Sequence, residues 1–522
     1  MAQQKSETRV VLEGGVMPAE PAGSSARGQG KAGPVDEQAL QLCLPIATAD
    51  VPSGTSRTAA GFHARSGRAG VPPAIVNAQT GTPVTMIEEV ARRLTSAMLK
   101  VASNRGAPGP DGMTIDQLRE QWPVIGPKLQ ADLLTGTYRP GVIRRVEIPK
   151  AGGGWRGLGI PDVVDRVVME AVRQVLEPLF EPAFHPSSHG FRAGRSCHTA
   201  IAEAAGHLND GYDWVIDLDL EKFFGRVNHQ RLLARLARRV DDRQLLVLIG
   251  RMLTAGVVLP DGVVIDVDEG VPQGSPLSPL LSNIVLDELD TELARRGHRF
   301  VRYADDGNVY VRSERAGRRV MRSLHRFIEG RLRLKINDAK SAVARPEDRH
   351  FLGFCLRKDS QRGVVEVLLS ERTKRDAMAR IRELTPRQWG GTLQSCILRL
   401  NAWLRGWHQF FGIASDSEQY AMRVLDAHIR RRLRAIVLSH WKRRPTIVRN
   451  LIALGVKRKT AWRRVYEGRK STWALSHDPA VDYAMPTEFF NERGLVRLVD
   501  LHGKTPGNIA APAQAQLALE WG

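Results

Sequence analysis

Hydrophobic positions along this chain fall into three regimes. From Met1 to about Thr85 no period is visible: the segment is rich in Gly, Ala, Pro and Ser and holds one aromatic residue, Phe62. Such a stretch cannot bury enough apolar surface to offset its ordering entropy, so residues 1–85 are expected to be disordered, with one short helix around Glu37 to Leu44. From Met86 to about Lys358, helical spacing alternates with Gly-rich loops and short β-branched runs, which predicts a mixed α+β unit. Beyond Leu368 the strand pattern ends. Ile397, Leu400, Leu404, Trp407 and Phe411 share one helical face, and Met422, Leu425, Ile429, Leu433 and Ile436 share another, so a helical unit follows.

Two segments carry candidate chemistry. In Trp214–Leu220 the alternation puts Val215, Asp217 and Asp219 on one face of a strand and Ile216, Leu218 and Leu220 on the other. Asp219 stands at the strand end, where a carboxylate can reach a cation, although a D-x-D pattern also serves as a cap or ion-pair partner. In Arg299–Arg312 two alternating arms flank Asp305-Asp306-Gly307, and Asp-Gly between such arms predicts the turn of a hairpin. A turn accounts for Asp306 and Gly307. It leaves Asp305 unexplained, because adjacent carboxylates repel unless a cation lies between them. Carboxylates from two strands are the donor set that phosphoryl transfer uses to hold a pair of Mg²⁺ ions.

Charge narrows the partner. The 522 residues hold 76 Lys and Arg against 56 Asp and Glu, a net charge of +20, which points to an acidic partner and first to nucleic acid. The excess is uneven: between Ala421 and Trp473 there are 16 Lys and Arg, opposed only by Asp426 and Glu467. Arg423, Arg430, Arg431 and Arg434 fall on the polar side of one predicted helix, with Trp441, Trp462, Tyr466 and Trp473 nearby. A solvated charged face is the plain alternative, but cations interleaved with aromatics suit phosphate neutralisation and base stacking. Arg430, Arg431, Arg432 and Arg434 are the expected phosphate contacts. Cys43, Cys197, Cys355 and Cys396 are too scattered for a zinc module or a disulfide framework, which suggests a reducing compartment. No basic stub precedes an apolar core at the start, and no apolar run is long enough for a membrane span, so a soluble intracellular protein without membrane partners is expected.

Several segments in order carry a family resemblance. Asn104-Arg-Gly-Ala-Pro-Gly-Pro-Asp-Gly112, Ile148-Pro-Lys150, Leu158-Gly-Ile-Pro161, His189-Gly-Phe-Arg192, Asp219, Val271-Pro-Gln-Gly-Ser-Pro276, Tyr303-Ala-Asp-Asp306, Leu334-Lys-Ile-Asn337 with Lys340, and Phe351-Leu-Gly-Phe354 resemble a reverse transcriptase. Leu404-Arg-Gly-Trp407 and Trp473-Ala-Leu-Ser476 are similar to the thumb and maturase region of proteins encoded by bacterial group II introns. The resemblance implies a right-hand polymerase fold of α+β class, with fingers and an antiparallel palm sheet at 86–360, a helical thumb at 361–420, an RNA-binding maturase region at 421–495 and a tail at 496–522. It implies Asp219 and Asp305 as principal ligands of two Mg²⁺ ions, with Asp306 assisting and the Leu220 carbonyl as a further oxygen. It places Lys150 and Arg156 on the triphosphate of a dNTP, Phe224 beneath its sugar and Gln273 against it. Ser278 and Pro279 read separately as N-cap and first residue of the next helix, holding the Gln273 loop. Gly157 and Gly225 depart from the family, which usually has Pro and Asp there.

The implied activity is RNA-directed DNA synthesis on an RNA template with a DNA primer, together with binding of intron RNA to assist splicing, and copying of the intron at its target DNA. No endonuclease pattern of paired Cys or H-N-H type follows the maturase region. The rival readings are a splicing factor whose polymerase has lapsed, and a reverse transcriptase of a defence or diversification system.

Overall fold

The computed structural model describes residues 84–149, 155–359 and 361–502. The expected disorder of residues 1–83, the short helix at Glu37–Leu44, Lys150 and the end of the tail therefore lie outside the described residues. Helical order starts where apolar spacing starts. Thr85 accepts from the amide of Glu88 while its own amide donates to the Glu88 carboxylate, a reciprocal cap on α1 (Met86–Ser103). There follow α2 (Ile115–Leu134), β1 (Ile143–Pro149), β2 (Trp155–Ile160), α3 (Val163–Phe180), α4 (Cys197–Asn209) and β3 (Trp214–Leu218). Next come α5 (His229–Leu236), α6 (Arg243–Leu253), the short strands β4 (Val257–Val258) and β5 (Val264–Ile265), and α7 (Ser278–Arg295). The hairpin β6 (Arg299–Tyr303) and β7 (Asp306–Val311) leads to α8 (Glu314–Phe327), β8 (Ala342–Ala344), β9 (Phe354–Lys358) and β10 (Val365–Leu369).

The remainder is helical. α9 (Glu371–Leu384), α10 (Leu393–Phe411), α11 (Gln419–His440), α12 (Arg444–Ala453) and α13 (Arg458–Tyr466) precede four short helices, α14 (Thr472–Leu475), α15 (Pro479–Ala484), α16 (Thr487–Asn491) and α17 (Leu498–His502). The fold is α+β. Its central sheet has the order β6-β7-β3-β8, antiparallel throughout; a second sheet runs β2-β1-β4-β5, and β9 pairs with β10 alone.

Alternation along β3 decides what each face of the central sheet meets. Ile216 and Leu218 join a core shared with α3, α7 and α8, whereas Val215, Val301 and Tyr310 join a second core shared with α4, β9, β10 and the C-terminal helices. With both faces covered, only the strand ends are open for chemistry. Asp217 shares the Val215 face and is ion-paired by Arg349 at 2.6 Å, so the first carboxylate of the D-x-D is a structural partner.

Three local expectations are corrected. The β6–β7 turn is Ala304-Asp305, not Asp306-Gly307: Tyr303 pairs with Asp306, and Gly307 pairs within the sheet to both Arg302 and Leu218. Ser278 is the first residue of α7 and Leu277 its N-cap; the Ser278 hydroxyl instead donates to the Pro272 carbonyl at 2.7 Å, tying down the preceding loop. Finally, α11 buries Met422, Leu425, Ile429, Leu433 and Ile436 as expected, but α9, α14 and α17 pack around it as well, so its polar side is not free. Arg432 and Arg434 are only 7% and 8% exposed. Arg432 donates to the Thr385 hydroxyl at 2.7 Å, and Arg434 donates to the Met485 carbonyl at 3.0 Å and pairs with Asp482. These two arginines hold the helical unit together rather than facing a phosphate.

Candidate active site

The candidate carboxylates meet because of strand register. Leu218 pairs with Gly307, so one step further along the antiparallel ladder Asp219 comes opposite Asp306, and Asp305 sits in the adjoining turn. The backbone after β3 is laced to the Leu334–Ser341 segment. Glu221 donates to the Lys335 carbonyl at 2.8 Å, Asn337 donates to the Asp219 carbonyl at 2.8 Å, and the Asp219 amide donates to the Ser341 hydroxyl at 3.0 Å. Leu220 and Ile336 therefore form an antiparallel bridge of the non-hydrogen-bonded kind, in which the Leu220 carbonyl turns away from Ile336 and stays available as an acceptor. Lys340 reaches the Asp219 carboxylate at 3.3 Å.

Electrostatics mark this cluster as short of positive charge. Asp306 is open to solvent on one side, yet loss of solvation in the cleft, followed by crowding from Asp305, Asp217 and Asp219, pushes its pKa up to about 7. Asp305 is also raised, chiefly by burial and further by Asp219, with Arg156 and then Arg302 opposing the shift. Among the described residues, no three acidic, histidine or cysteine side chains form a ready metal cage. The donor set nevertheless fits magnesium, a hard cation that takes oxygen ligands, keeps several waters and binds through one or two carboxylates plus substrate phosphates.

The turn that carries Asp305 is held from below by Arg302 and its partners, which sequence reading did not single out, and by the His189–Arg192 loop. Ala304 adopts a left-handed conformation, φ 56°, that a non-glycine residue enters only under constraint. The constraint is Arg302, 2% exposed, whose guanidinium donates to the Ala304 carbonyl at 2.8 Å, to Asn283 at 3.0 Å and to Ser188 at 2.7 Å, and forms a buried ion pair with Asp290 at 2.5 Å. Gly190 lies against the same turn: a Cβ there would stand 2.1 Å from the Ala304 nitrogen. The glycine of His189-Gly-Phe-Arg192 is thus required by close backbone approach. His189 and Arg192 anchor that loop through Glu203 at 2.7 Å and Glu181 at 2.7 Å. A sequence signal existed for Arg302, since alternation puts it on the same strand face as Phe300, where a buried cation needs a partner.

Three loops converge beside the carboxylates. The Phe224 carbonyl accepts from Val271 at 2.6 Å, and the Gln273 carbonyl accepts from Gly159 at 2.7 Å, so the Phe224 turn, the Gln273 loop and the end of β2 form one wall. Gly274, at φ 108°, allows that approach, because a Cβ there would stand 2.7 Å from the Gly159 carbonyl. Arg156 projects from β2 as an exposed side chain within electrostatic reach of Asp305. Phe223 is buried in the core, and Phe224 packs edge-on against it, centroids 5.3 Å apart, while remaining partly exposed. Around Gly225 a Cβ would meet nothing within 4 Å, so the departure from the family's Asp leaves open space.

The basic C-terminal surface survives in altered form. Arg423, Arg443, Arg449, Lys457, Arg458, Lys459 and Arg463 are exposed, and on α13 the exposed rings of Trp462 and Tyr466 stack at 5.2 Å and 15°. Arg430 and Arg431 are partly exposed; Arg431 lies over the Trp473 ring, 3.8 Å from its centroid.

Residues 148–356 match the family described as reverse transcriptase (RNA-dependent DNA polymerase), and residues 374–452 match the group II intron, maturase-specific domain. Protein YkfC of Escherichia coli K12 is 34% identical over 317 residues, which cover 53% of this chain and 83% of that protein. Group II intron-encoded protein LtrA of Lactococcus lactis subsp. cremoris is 35% identical over 164 residues, 31% of this chain and 27% of LtrA. A 91 kDa protein in the cob intron of Schizosaccharomyces pombe is 39% identical over 180 residues, 34% of this chain and 21% of the relative. The matched region thus spans most of YkfC and about a quarter of the two longer intron proteins.

Proposed function

This chain belongs to the family of group II intron-encoded reverse transcriptases and is an RNA-directed DNA polymerase, and from that premise we propose how its own residues divide the work. Residues 86–360 serve as fingers and palm, 361–420 as thumb, and 421–495 as the region that binds intron RNA to assist splicing. The enzyme takes an RNA template, a DNA primer and dNTPs, and copies the intron at its target DNA. The observation that carries this reading is the convergence of Asp219, Asp305 and Asp306 beside Arg156.

In the reaction, the primer 3′-hydroxyl attacks the α-phosphorus of a dNTP, a new phosphodiester bond forms, and the bond to pyrophosphate breaks. Asp219, Asp305, Asp306 and the Leu220 carbonyl would hold two Mg²⁺ ions, which when bound supply charge stabilisation to the attacking and leaving oxygens. Arg156 and Lys150 neutralise the triphosphate and orient its leaving group. Gln273 and Phe224 line the pocket wall and orient base and sugar. Arg302 and Gly190 keep the Asp305 turn in place. Among the described residues no helix is long and apolar enough to cross a membrane, and a bacterial cytoplasmic setting suits a protein that meets intron RNA and DNA.

The test is extension of a DNA primer on an RNA template by the purified chain with Mg²⁺, alongside binding of its own intron RNA. Absence of extension would leave the reading as a splicing factor only. Sugar choice gives a second expected outcome. Phe224 offers no hydrogen bond to a ribose 2′-hydroxyl and fills its space, so Phe224→Val should raise ribonucleotide incorporation relative to dNTP by about tenfold or more, a difference of about 1.4 kcal/mol. Phe224 is only partly buried against the core that Phe223 enters, so Phe224→Val should lower the melting temperature less than Phe223→Val. Unchanged sugar discrimination in a folded variant would remove Phe224 from the pocket.

A further inference from the structure

The C-terminal helical unit gathers positive charge where α9, α11 and α14 meet. Three guanidiniums surround the Trp473 ring: Arg431 at 3.8 Å from its centroid, Arg387 at 5.0 Å and Arg432 at 5.5 Å. Arg382 and the imidazoles of His428 and His477 lie close by: Arg382, Arg431, Arg432 and His477 all act on His428, and Arg431 acts on His477. Among the described residues none of Arg382, Arg387, Arg431 and Arg432 has an ion pair within the chain, although ion pairs are common elsewhere on the molecule. The nearby carboxylates are engaged otherwise: Glu383 pairs with Arg380, and Asp482 pairs with Arg434. Burial, then Arg432, Arg382, Arg431 and His477, push the His428 pKa down to about 4.

Two further facts turn this crowding into a site. The Arg431 Nε and the His428 Nε2 are buried, and neither finds a hydrogen-bond partner among the described residues. A buried unsatisfied donor costs about 1–3 kcal/mol, and like charges held close add to that. The Trp473 face compensates in part through cation–π attraction, which holds guanidiniums in place without neutralising them. Arg432 is fixed from behind by Thr385, so its role is to anchor the cluster.

We propose that Arg387 and Arg431 over the Trp473 ring, with Arg382, His428 and His477 nearby, form a binding site for a phosphodiester group of a nucleic-acid strand. The proposal rests on the reading of the chain as a nucleic-acid-binding polymerase, and it locates one specific contact within the basic C-terminal half. A planar guanidinium presents a fork of donors that matches phosphate oxygens, and one anion relieves several repelling cations together.

The expected behaviour separates this site from a structural cluster and from a solvated charged face. Arg387→Gln, Arg431→Gln and the double variant should be compared with the native chain by anisotropy of fluorescein-labelled single-stranded RNA and DNA of the same mixed sequence, across a salt series, with melting temperature recorded in parallel. The double variant should bind about tenfold or more weakly at low salt and lose about 1.4 from the slope of log affinity against log salt, two contacts at about 0.7 each. Its melting temperature without nucleic acid should be unchanged or higher, because a repulsion has been removed. A greater loss on RNA identifies the strand as RNA, and equal losses identify the backbone common to both. Unchanged affinity and slope, or weaker binding accompanied by a lower melting temperature in both single variants, would overturn the site. Should the double variant bind as the native chain does while the native chain extends primers, the site alone fails; a native chain that neither binds nor extends refutes the polymerase reading with it.

Discussion

Purified protein carrying Asp305→Asn is expected to lose primer extension by about a thousandfold or more while binding intron RNA as the native chain does. The substitution keeps the shape of the side chain and removes its charge. Asp305 lies in the cleft with Asp219, Asp306 and Arg156, and a carboxylate that helps hold Mg²⁺ supplies several kcal/mol of charge stabilisation to phosphoryl transfer, each 1.36 kcal/mol being worth about tenfold in rate. RNA affinity comes mainly from phosphate contacts, and Arg423, Arg449, Arg458, Lys459 and Arg463 present exposed cations on α11–α13, whereas the Ala304-Asp305 turn carries none. The fold should not suffer, because burial and the neighbouring carboxylates already disfavour the charged form of Asp305. The decisive comparison is DNA synthesis by native and Asp305→Asn proteins at equal concentration, with melting temperature and RNA binding measured on the same preparations. Near-normal synthesis by the variant would remove Asp305 from the metal site.

The elements of this fold were legible wherever local pattern and tertiary environment agree. Period-two alternation placed Asp219 at the end of β3, and the apolar spacing of α10 and α11 marked their buried faces. Legibility failed where a residue's role depends on chain far away. The Asp-Gly rule put the hairpin turn at Asp306-Gly307, because it weighs only the intrinsic freedom of glycine; Arg302, Asn283, Asp290, Ser188 and Gly190 instead force Ala304 into the left-handed region. Asp217 and Asp219 share one face of the strand by pattern, and it is Arg349, from a loop beyond β8, that assigns Asp217 to an ion pair. The arginines of α11 read as one solvent face because helical spacing records two sides. Thr385, Asp482 and Met485 arrive from other helices and take Arg432 and Arg434 into the interior, leaving Arg431 to the cluster around Trp473.

Gly190→Ala tests whether that distant support governs the chemistry. A single methyl group is the smallest side chain that can be added, yet at this position it would stand 2.1 Å from the Ala304 nitrogen and 2.9 Å from both the Ala304 Cα and the Tyr303 carbonyl carbon. All three atoms are backbone, so no side chain can rotate away and the turn itself must shift by the order of 1 Å. Displacement of that size at a reacting centre costs about a hundredfold in rate. The shift would also disturb the Arg302 bond to the Ala304 carbonyl, in a place where breaking the buried Arg302–Asp290 pair altogether would cost about 3–5 kcal/mol. Gly190→Ala should therefore reduce primer extension about a hundredfold and lower the melting temperature, while intron RNA binding at a temperature below the transition persists. Ser188→Ala is the useful companion, since it removes one hydrogen bond to Arg302 at 2.7 Å without adding an atom, and should cost stability but little activity. If Gly190→Ala synthesises DNA at the native rate, the turn tolerates displacement and the packing of the His189–Arg192 loop against it has no part in holding Asp305.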